Sequence, residues 1–275
     1  MINIKAIRSL SILYAALNYN GYDKENNPKG MHSLRLWVRK QLNLKKIKHF
    51  DFHWHPYQYT KAVLTTNDLV PTQSTNKDFL PAIDYLNKFA QDSGFDEIWP
   101  QIENETNKAL AQYEPLIKET IEKVDDHFDM KKKEKEMWFT VNLLESFFRG
   151  FSIQTKDKTV IITGPSDNPN ISSLIHEYIH TYFHNQSFDN QVDDKIYSQI
   201  SEDLQRNYPK EMITEECLVR AIEVFLSRQD NVGGQLEFDN QAKSLLFPEI
   251  YLEKLENIKP EKISMNVLRQ VLQSS

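Results

Sequence analysis

Apolar residues recur three and four positions apart along most of this chain, which is the spacing of amphipathic helices. The spacing occurs in segments 4–17, 32–42, 57–65 and 79–91, and in a longer run from about residue 96 to 127, where Pro115 predicts a break or bend. Only seven glycines occur in 275 residues, and most of the helical segments lack one. The chain is therefore predicted to be predominantly helical.

One stretch differs in composition, because β-branched and aromatic residues concentrate there. WFTVNLL at 138–144 and TVIIT at 159–163 predict two strands. Gly150 and the polar QTKDK at 154–158 are interpreted as connections. The second strand is expected to form a sheet edge, to which a peptide could add as a further strand; a covered strand of the core is the alternative. The predicted fold class is α+β with a small sheet.

This change in composition also suggests how the chain divides into parts. We expect a helical amino-terminal part, 1–128, followed by a part, 129–275, that holds the small sheet and two functional helices. No repeat and no low-complexity linker separates them. The two parts are expected to pack as one compact unit.

Composition limits the partners and the compartment. The net charge is −6 and the basic clusters are short, so nucleic acid is not expected as a partner. No apolar run reaches the ~18–20 residues that a membrane span needs. The first 20 residues lack a cleavage site and show helical spacing, which indicates an ordinary helix rather than a signal peptide. The single Cys217 excludes an internal disulfide, and a cytoplasmic location is expected. The oligomeric state is left open.

The sequence LIHEYIHTYFH, at 174–184, places three histidines and a glutamate in an apolar run. His176 and His180 are four residues apart, so they share one face of a helix about one turn apart. Two imidazoles so placed can bind one metal ion, and Glu177 can reach a water beside it. This is the HExxH pattern of zinc metallopeptidases. His184 lies eight residues after His176, ~12 Å further along a helix, and is expected to be a helix-end or supporting residue.

A catalytic zinc ion needs a third protein ligand. No glycine occurs between Gly164 and Gly233, which excludes the patterns that place a glycine soon after HExxH. A glutamate on a later helix remains. The segment TEECLVRAIEVFLS, at 214–227, has an apolar stripe with three glutamates in or beside it: Glu215, Glu216 and Glu223.

HEYIH followed by EECLVRAIEVF resembles the gluzincins, which carry two histidines on one helix and a glutamate on the next. More closely, it resembles a poorly characterised bacterial family of gluzincin-like proteins, known mainly as a domain of unknown function. That family's Glu-x-x-Val-Arg-Ala pattern is here Glu216, Val219, Arg220 and Ala221. LNYNGYDKENN with MHSLR near the amino terminus, and the β-branched run, extend the resemblance over most of the chain.

The resemblance implies a zincin-like metalloprotease fold with a small sheet beside the HExxH helix. It implies one zinc ion held by His176, His180 and Glu216, with Glu215 as the alternative ligand. Better-known gluzincins place an aspartate four residues after the ligand glutamate, where it supports a histidine. Here that position is Arg220, which cannot accept a histidine N–H.

Two residues near the expected ligand have open roles. Glu223 is the candidate to support a histidine in place of the missing aspartate. Arg220 is expected to pair with an acidic group or to bind a substrate carboxylate. For both, a surface ion pair is the alternative. Tyr197, Tyr208 and Arg220 are candidates to stabilise the oxyanion.

These residues predict a zinc metallopeptidase, a hydrolase in which Glu177 is the general base and the substrate is a peptide or protein. A catalytically silent zinc-binding or peptide-binding protein is the alternative, and a hydrolase of non-peptide amides is a third possibility. The aromatic FDFHWHPYQY, at 50–59, is expected to cover the core or line a groove rather than form a second zinc site. Cys217 is expected to be a small buried residue.

Overall fold

The computed structural model of the chain describes residues 2–22, 30–130, 135–183, 197–198, 200, 210–234, 236–238 and 247–273. The chain forms two compact units. The first comprises Met1–Pro115 and Glu134–Ser173, and the second comprises Leu116–Lys133 and Leu174–Ser275. This division differs from the expected boundary near residue 128, because the strands group with the amino-terminal helices.

The helices of the first unit lie where the apolar spacing predicts them: α1 (Arg8–Tyr19), α2 (Ser33–Leu42), α3 (Pro56–Leu64), α4 (Leu80–Ser93) and the start of α5 (Phe95–Asp126). A single 3-10 turn, Lys77–Phe79, precedes α4. Helix α1 is buried along almost its whole length. Gly94 ends α4 in the left-handed conformation, at φ 64°, which glycine adopts without strain. Helix α5 continues through Pro115 as one helix, so the expected break is not found there.

Four strands form one sheet in the first unit: β1 (Ile2–Ile4), β2 (Glu136–Val141), β3 (Gly150–Gln154) and β4 (Lys158–Thr163). Their order is β1-β2-β4-β3. Strand β2 is parallel to both β1 and β4, whereas β3 and β4 form an antiparallel pair. The prediction of a small sheet in a mainly helical α+β fold is confirmed.

Two expectations about this sheet are wrong. The segment that starts at Gly150 is the strand β3 rather than a connection. Strand β4 is not an edge, because β2 pairs with one side of it and β3 with the other. Its backbone groups are therefore engaged by the protein, and Val160 and Ile161 are fully buried. Among the described strands, β1 and β3 occupy the edges.

The aromatic segment near residue 50 belongs to the first unit and forms a ring cluster. Phe50 stacks on Tyr85 with ring centroids 4.8 Å apart, and Phe52 meets Tyr59 edge to face at 5.0 Å. His55 caps α3, since its ring Nδ1 accepts the N–H of Tyr57 at 3.2 Å. These contacts agree with an aromatic cluster rather than a second metal site.

The second unit contains the carboxy-terminal part of α6 (Ile171–Phe183), followed by α7 (Lys210–Asp230), α8 (Pro248–Ile258) and α9 (Met265–Gln273). Helix α7 packs against α8, and α8 packs against α9. Most of α7 is buried from Ile213 to Leu226, although charged residues are interspersed. In the part of the chain that the structure describes, no helix combines the length and apolarity needed to cross a membrane.

Candidate metal centre

Helix α6 presents two imidazoles from a largely apolar sequence. Its residues Leu174, Ile175 and Ile179 are fully buried. The side chains of His176 and His180 are 14% and 12% exposed, and their Nε2 atoms are 3.3 Å apart. The four-residue spacing therefore brings two potential ligand atoms to one point, as the sequence predicts.

Helix α7 brings a carboxylate to the same point. Glu216 Oε1 lies 3.6 Å from Nε2 of His176, and Oε2 lies 3.6 Å from Nε2 of His180. One ligand atom from each of the three side chains can be chosen so that all lie within 4.8 Å of one another. Because the Glu216 side chain is only 6% exposed, these donors converge in a largely water-excluded place. The group could hold a metal ion.

Two further carboxylates bind the imidazoles on the side away from the centre, one carboxylate for each ring. Glu223 Oε2 lies 3.2 Å from Nδ1 of His176, and Glu215 Oε1 lies 2.7 Å from Nδ1 of His180. In the tautomer that these contacts require, each Nδ1 donates its proton to a carboxylate, so each Nε2 is directed to the centre.

The role of Glu215 was not assigned by its sequence position, which suggested only an alternative ligand. The structure places its carboxylate behind His180 instead, while Glu216 faces both Nε2 atoms. The two glutamates are adjacent on α7 and therefore differ by about 100° in direction around the helix. The sequence signal for this arrangement is the Glu-Glu pair itself, which places carboxylates on two neighbouring faces.

Glu177 lies beside these ligands and is buried, with 7% of its surface exposed. Burial raises the pKa of its carboxyl group, although the neighbouring His176 and His180 oppose the shift. A carboxyl group with a raised pKa exchanges protons more readily near neutral pH than an ordinary glutamate does. The structure thus gives Glu177 the environment of an acid–base group.

Arg220 binds the carboxylate that faces the two histidines. Its Nε donates a hydrogen bond to Oε1 of Glu216 at 2.7 Å. Burial alone would raise the pKa of Glu216, but the charges of His176 and Arg220 outweigh it and hold the pKa well below its usual value. Glu216 is therefore ionised at neutral pH, as a metal ligand has to be.

The surrounding carboxylates also raise the pKa values of the two imidazoles. Burial lowers the pKa of His176, but Glu216 and Glu223 outweigh it and raise the pKa to about 10. For His180, burial likewise lowers the pKa, whereas Glu215 and Glu216 raise it to about 9. In the metal-free chain these carboxylates therefore favour the protonated imidazoles. A bound cation would replace the protons on Nε2.

The structure describes only some of the remaining sequence candidates. Tyr208 and His184 lie outside the described residues. Tyr197 is described, and its carbonyl accepts the N–H of Ile200 at 3.1 Å, but among the described residues it is not one of the converging ligands. Cys217 is fully buried on α7, and burial raises the pKa of its thiol to about 12, so it is not a nucleophile at neutral pH.

The donor set fits a transition metal. Two imidazole nitrogens and one carboxylate oxygen are the ligands of many catalytic zinc sites, and the same set also serves non-haem iron. The hydrogen bonds from Nδ1 to carboxylates are the usual support of metal-binding histidines. Comparisons of this chain with protein-family models, with curated proteins and with solved structures gave no match. The candidate centre therefore rests on its own geometry.

Proposed function

We propose that the chain is a zinc-dependent metallopeptidase that hydrolyses peptide bonds. The observation that carries the proposal is the convergence of His176, His180 and Glu216, with the buried Glu177 beside them. The proposal includes a zincin-like fold. The substrate is a peptide or a protein.

Each residue has a separate task in this proposal. His176, His180 and Glu216 hold one Zn²⁺, which when bound polarises the substrate carbonyl and makes water more acidic. Glu177 accepts a proton from the attacking water and delivers it to the leaving amine, and its raised pKa suits both transfers. Glu223 and Glu215 keep the two imidazoles oriented. Because Arg220 binds Glu216, the oxyanion donor is sought first at Tyr197 and Tyr208.

The position of Glu177 favours an enzyme over a silent metal-binding protein. A structural zinc site normally has four protein ligands and needs no carboxylic acid beside it. Burying Glu177 costs free energy, because burial disfavours its ionised form. Ionisable groups with shifted pKa values are concentrated at catalytic sites, which is where such a cost is expected.

The first test is the metal content of the chain purified without chelator, measured by inductively coupled plasma mass spectrometry. We expect about one zinc ion per chain. The His176→Ala variant should contain almost none, and the surface variant His53→Ala should match the wild type. A wild type that binds no zinc, even after Zn²⁺ is added, would disprove the proposal. Iron in place of zinc would redirect it to oxidative chemistry.

The second test separates turnover from binding. Glu177→Gln should retain the zinc, because Glu177 is not one of the three ligands, yet it should reduce hydrolysis of a mixed peptide library by a factor of roughly 10²–10⁴. Cleavage is measured by mass spectrometry of the products. Retained turnover would remove Glu177 as the base. If the zinc-loaded wild type cleaves no peptide but releases amines from other amides, the substrate class is wrong; inactivity towards both favours the silent binding protein.

A further inference from the structure

Arg220 and a metal ion at this centre compete for the same carboxylate. Arg220 lies four residues after Glu216 on α7, so the helix holds the guanidinium next to the carboxylate. The bond from Nε to Oε1 measures 2.7 Å. With the two side chains 14% and 6% exposed, water screens the pair only weakly.

The two oxygens of Glu216 differ in their contact with Arg220, because its Nε binds Oε1. Each oxygen is 3.6 Å from the Nε2 of one histidine, Oε1 from His176 and Oε2 from His180. A carboxylate can bind a metal ion through one oxygen or through both. Arg220 already binds Oε1, which makes Oε2 the better metal ligand.

We propose that Arg220 is a positioning residue that limits Glu216 to one ligand oxygen and thereby weakens metal binding while keeping a coordination position for substrate. This inference rests on the proposed function, because it concerns the same metal. It assigns Arg220 a task other than binding a substrate carboxylate.

The guanidinium opposes metal binding in two ways. It occupies an oxygen that the metal could use, and its positive charge repels a divalent cation. Loss of Arg220 should therefore tighten metal binding, whereas ordinary damage to a metal site loosens it.

The test compares wild type, Arg220→Met and Arg220→Lys. The dissociation constant for Zn²⁺ is measured by competition with a chromogenic chelator, and coordination is followed from the visible absorption of the Co²⁺-loaded chains. We expect Arg220→Met to bind Zn²⁺ roughly tenfold more tightly or better. Its Co²⁺ absorption should weaken, because Co²⁺ absorbs less as its coordination number rises. Arg220→Lys keeps a cation and an N–H donor, so it should stay nearer to the wild type in both measurements.

Arg228→Met is the matched control, since Arg228 lies on the same helix but binds Glu256, at 2.8 Å. It should leave the affinity and the Co²⁺ spectrum unchanged. Circular dichroism checks that each variant is folded, and Arg220→Gln replaces Arg220→Met if the latter is not.

The outcomes distinguish this inference from the proposed function. Weaker zinc binding by folded Arg220→Met would mean that Arg220 only holds Glu216 in place, and would overturn the inference. Unchanged affinity and spectrum would overturn it too, because the ion pair would then have no effect on the metal. A wild type that binds no metal would overturn both proposals, and its measurement comes first.

Discussion

Two adjacent glutamates on α7 have different tasks because a helix turns by about 100° per residue. Glu216 directs both oxygens to the Nε2 atoms of His176 and His180, whereas Glu215 binds Nδ1 of His180 from behind. Exposure follows the same division, since the Glu215 side chain is 27% exposed and that of Glu216 only 6%. A shift of one residue along α7 would exchange a ligand for a supporting group.

This difference predicts unequal losses of zinc affinity. Glu215→Gln removes a carboxylate that orients His180, and such changes typically cost a factor of roughly 10–100 in metal affinity. Glu216→Ala removes a ligand, so its loss should exceed that range. Chelator competition at neutral pH measures both, with the exposed Glu249→Gln as the control. If Glu215→Gln is the more damaging change, the two assignments have to be exchanged.

The sequence predicts some of these residues better than others. His176 and His180 belong to one helix, so the periodicity of α6 alone places them together. Glu216 lies on another helix, and the choice between it and Glu215 depends on how α7 packs against α6. The sequence offers no measure of that rotation. Glu223 was foreseeable only as a residue seven positions after Glu216, hence on the same face of α7.

Helix α6 has a second polar face, opposite the histidines. Tyr178 and Tyr182 are also four residues apart, and both hydroxyls donate to Oδ1 of Asp125, each at 2.6 Å. Phe128 stacks on the ring of Tyr182, with centroids 3.9 Å apart. Burial raises the pKa of both tyrosines, and Asp125 raises it further. These bonds tie α6 to the end of α5 within the second unit and hold the histidine-bearing helix in place.

Removing this anchor should destabilise the second unit. Asp125→Ala removes the acceptor that two buried hydroxyls share, and we expect the free energy of unfolding to fall by roughly 2–4 kcal/mol. Tyr178→Phe removes one of the two bonds and should cost about 1–2 kcal/mol. Urea denaturation measures both values. The neighbouring exposed Asp126→Ala is the control, and an equal effect of Asp126→Ala would show that the bonds to the tyrosines are not responsible.

The strands show where sequence patterns lose information. Strand β2 and strand β4 are rich in β-branched and aromatic residues, and both were predicted. Strand β1 has only three residues, and β3 begins at a glycine. Neither therefore contains a run of β-branched and aromatic residues long enough to be recognised. The interior position of β4 depends on which strands pair with it, and pairing joins residues far apart in the sequence. An apolar strand is compatible with an interior or an edge position until its partners are known.

The division into two units was hidden for a related reason. The chain passes between the units at Lys133/Glu134 and at two points inside helices, Pro115/Leu116 in α5 and Ser173/Leu174 in α6. A boundary inside a helix has no linker composition, and the apolar spacing continues across it. The candidate metal centre, by contrast, lies wholly in the second unit, because residues 176–180 and 215–223 all belong there. Zinc should therefore stabilise that unit.

The pH dependence of that stabilisation is the prediction for the whole molecule. The pKa of His176 is raised to about 10 and that of His180 to about 9, from 6.5, so in the metal-free chain the stability they contribute is fully present below pH 6.5. It is lost as the pH rises through these values. The raised pKa of buried Glu177 also lowers stability as the pH rises above 4.5. The metal-free unit should thus become less stable from neutral to alkaline pH.

Zinc should reverse this trend, because it competes with the protons on Nε2 and competes better as they become scarce. Differential scanning calorimetry at fixed free Zn²⁺ should show an increase in Tm over the metal-free chain that grows from pH 6.5 to pH 9 by more than about 5 °C. His176→Gln should show little zinc-dependent increase at any pH, since it lacks one ligand. An increase that stays constant with pH would mean that Zn²⁺ binds away from the two histidines.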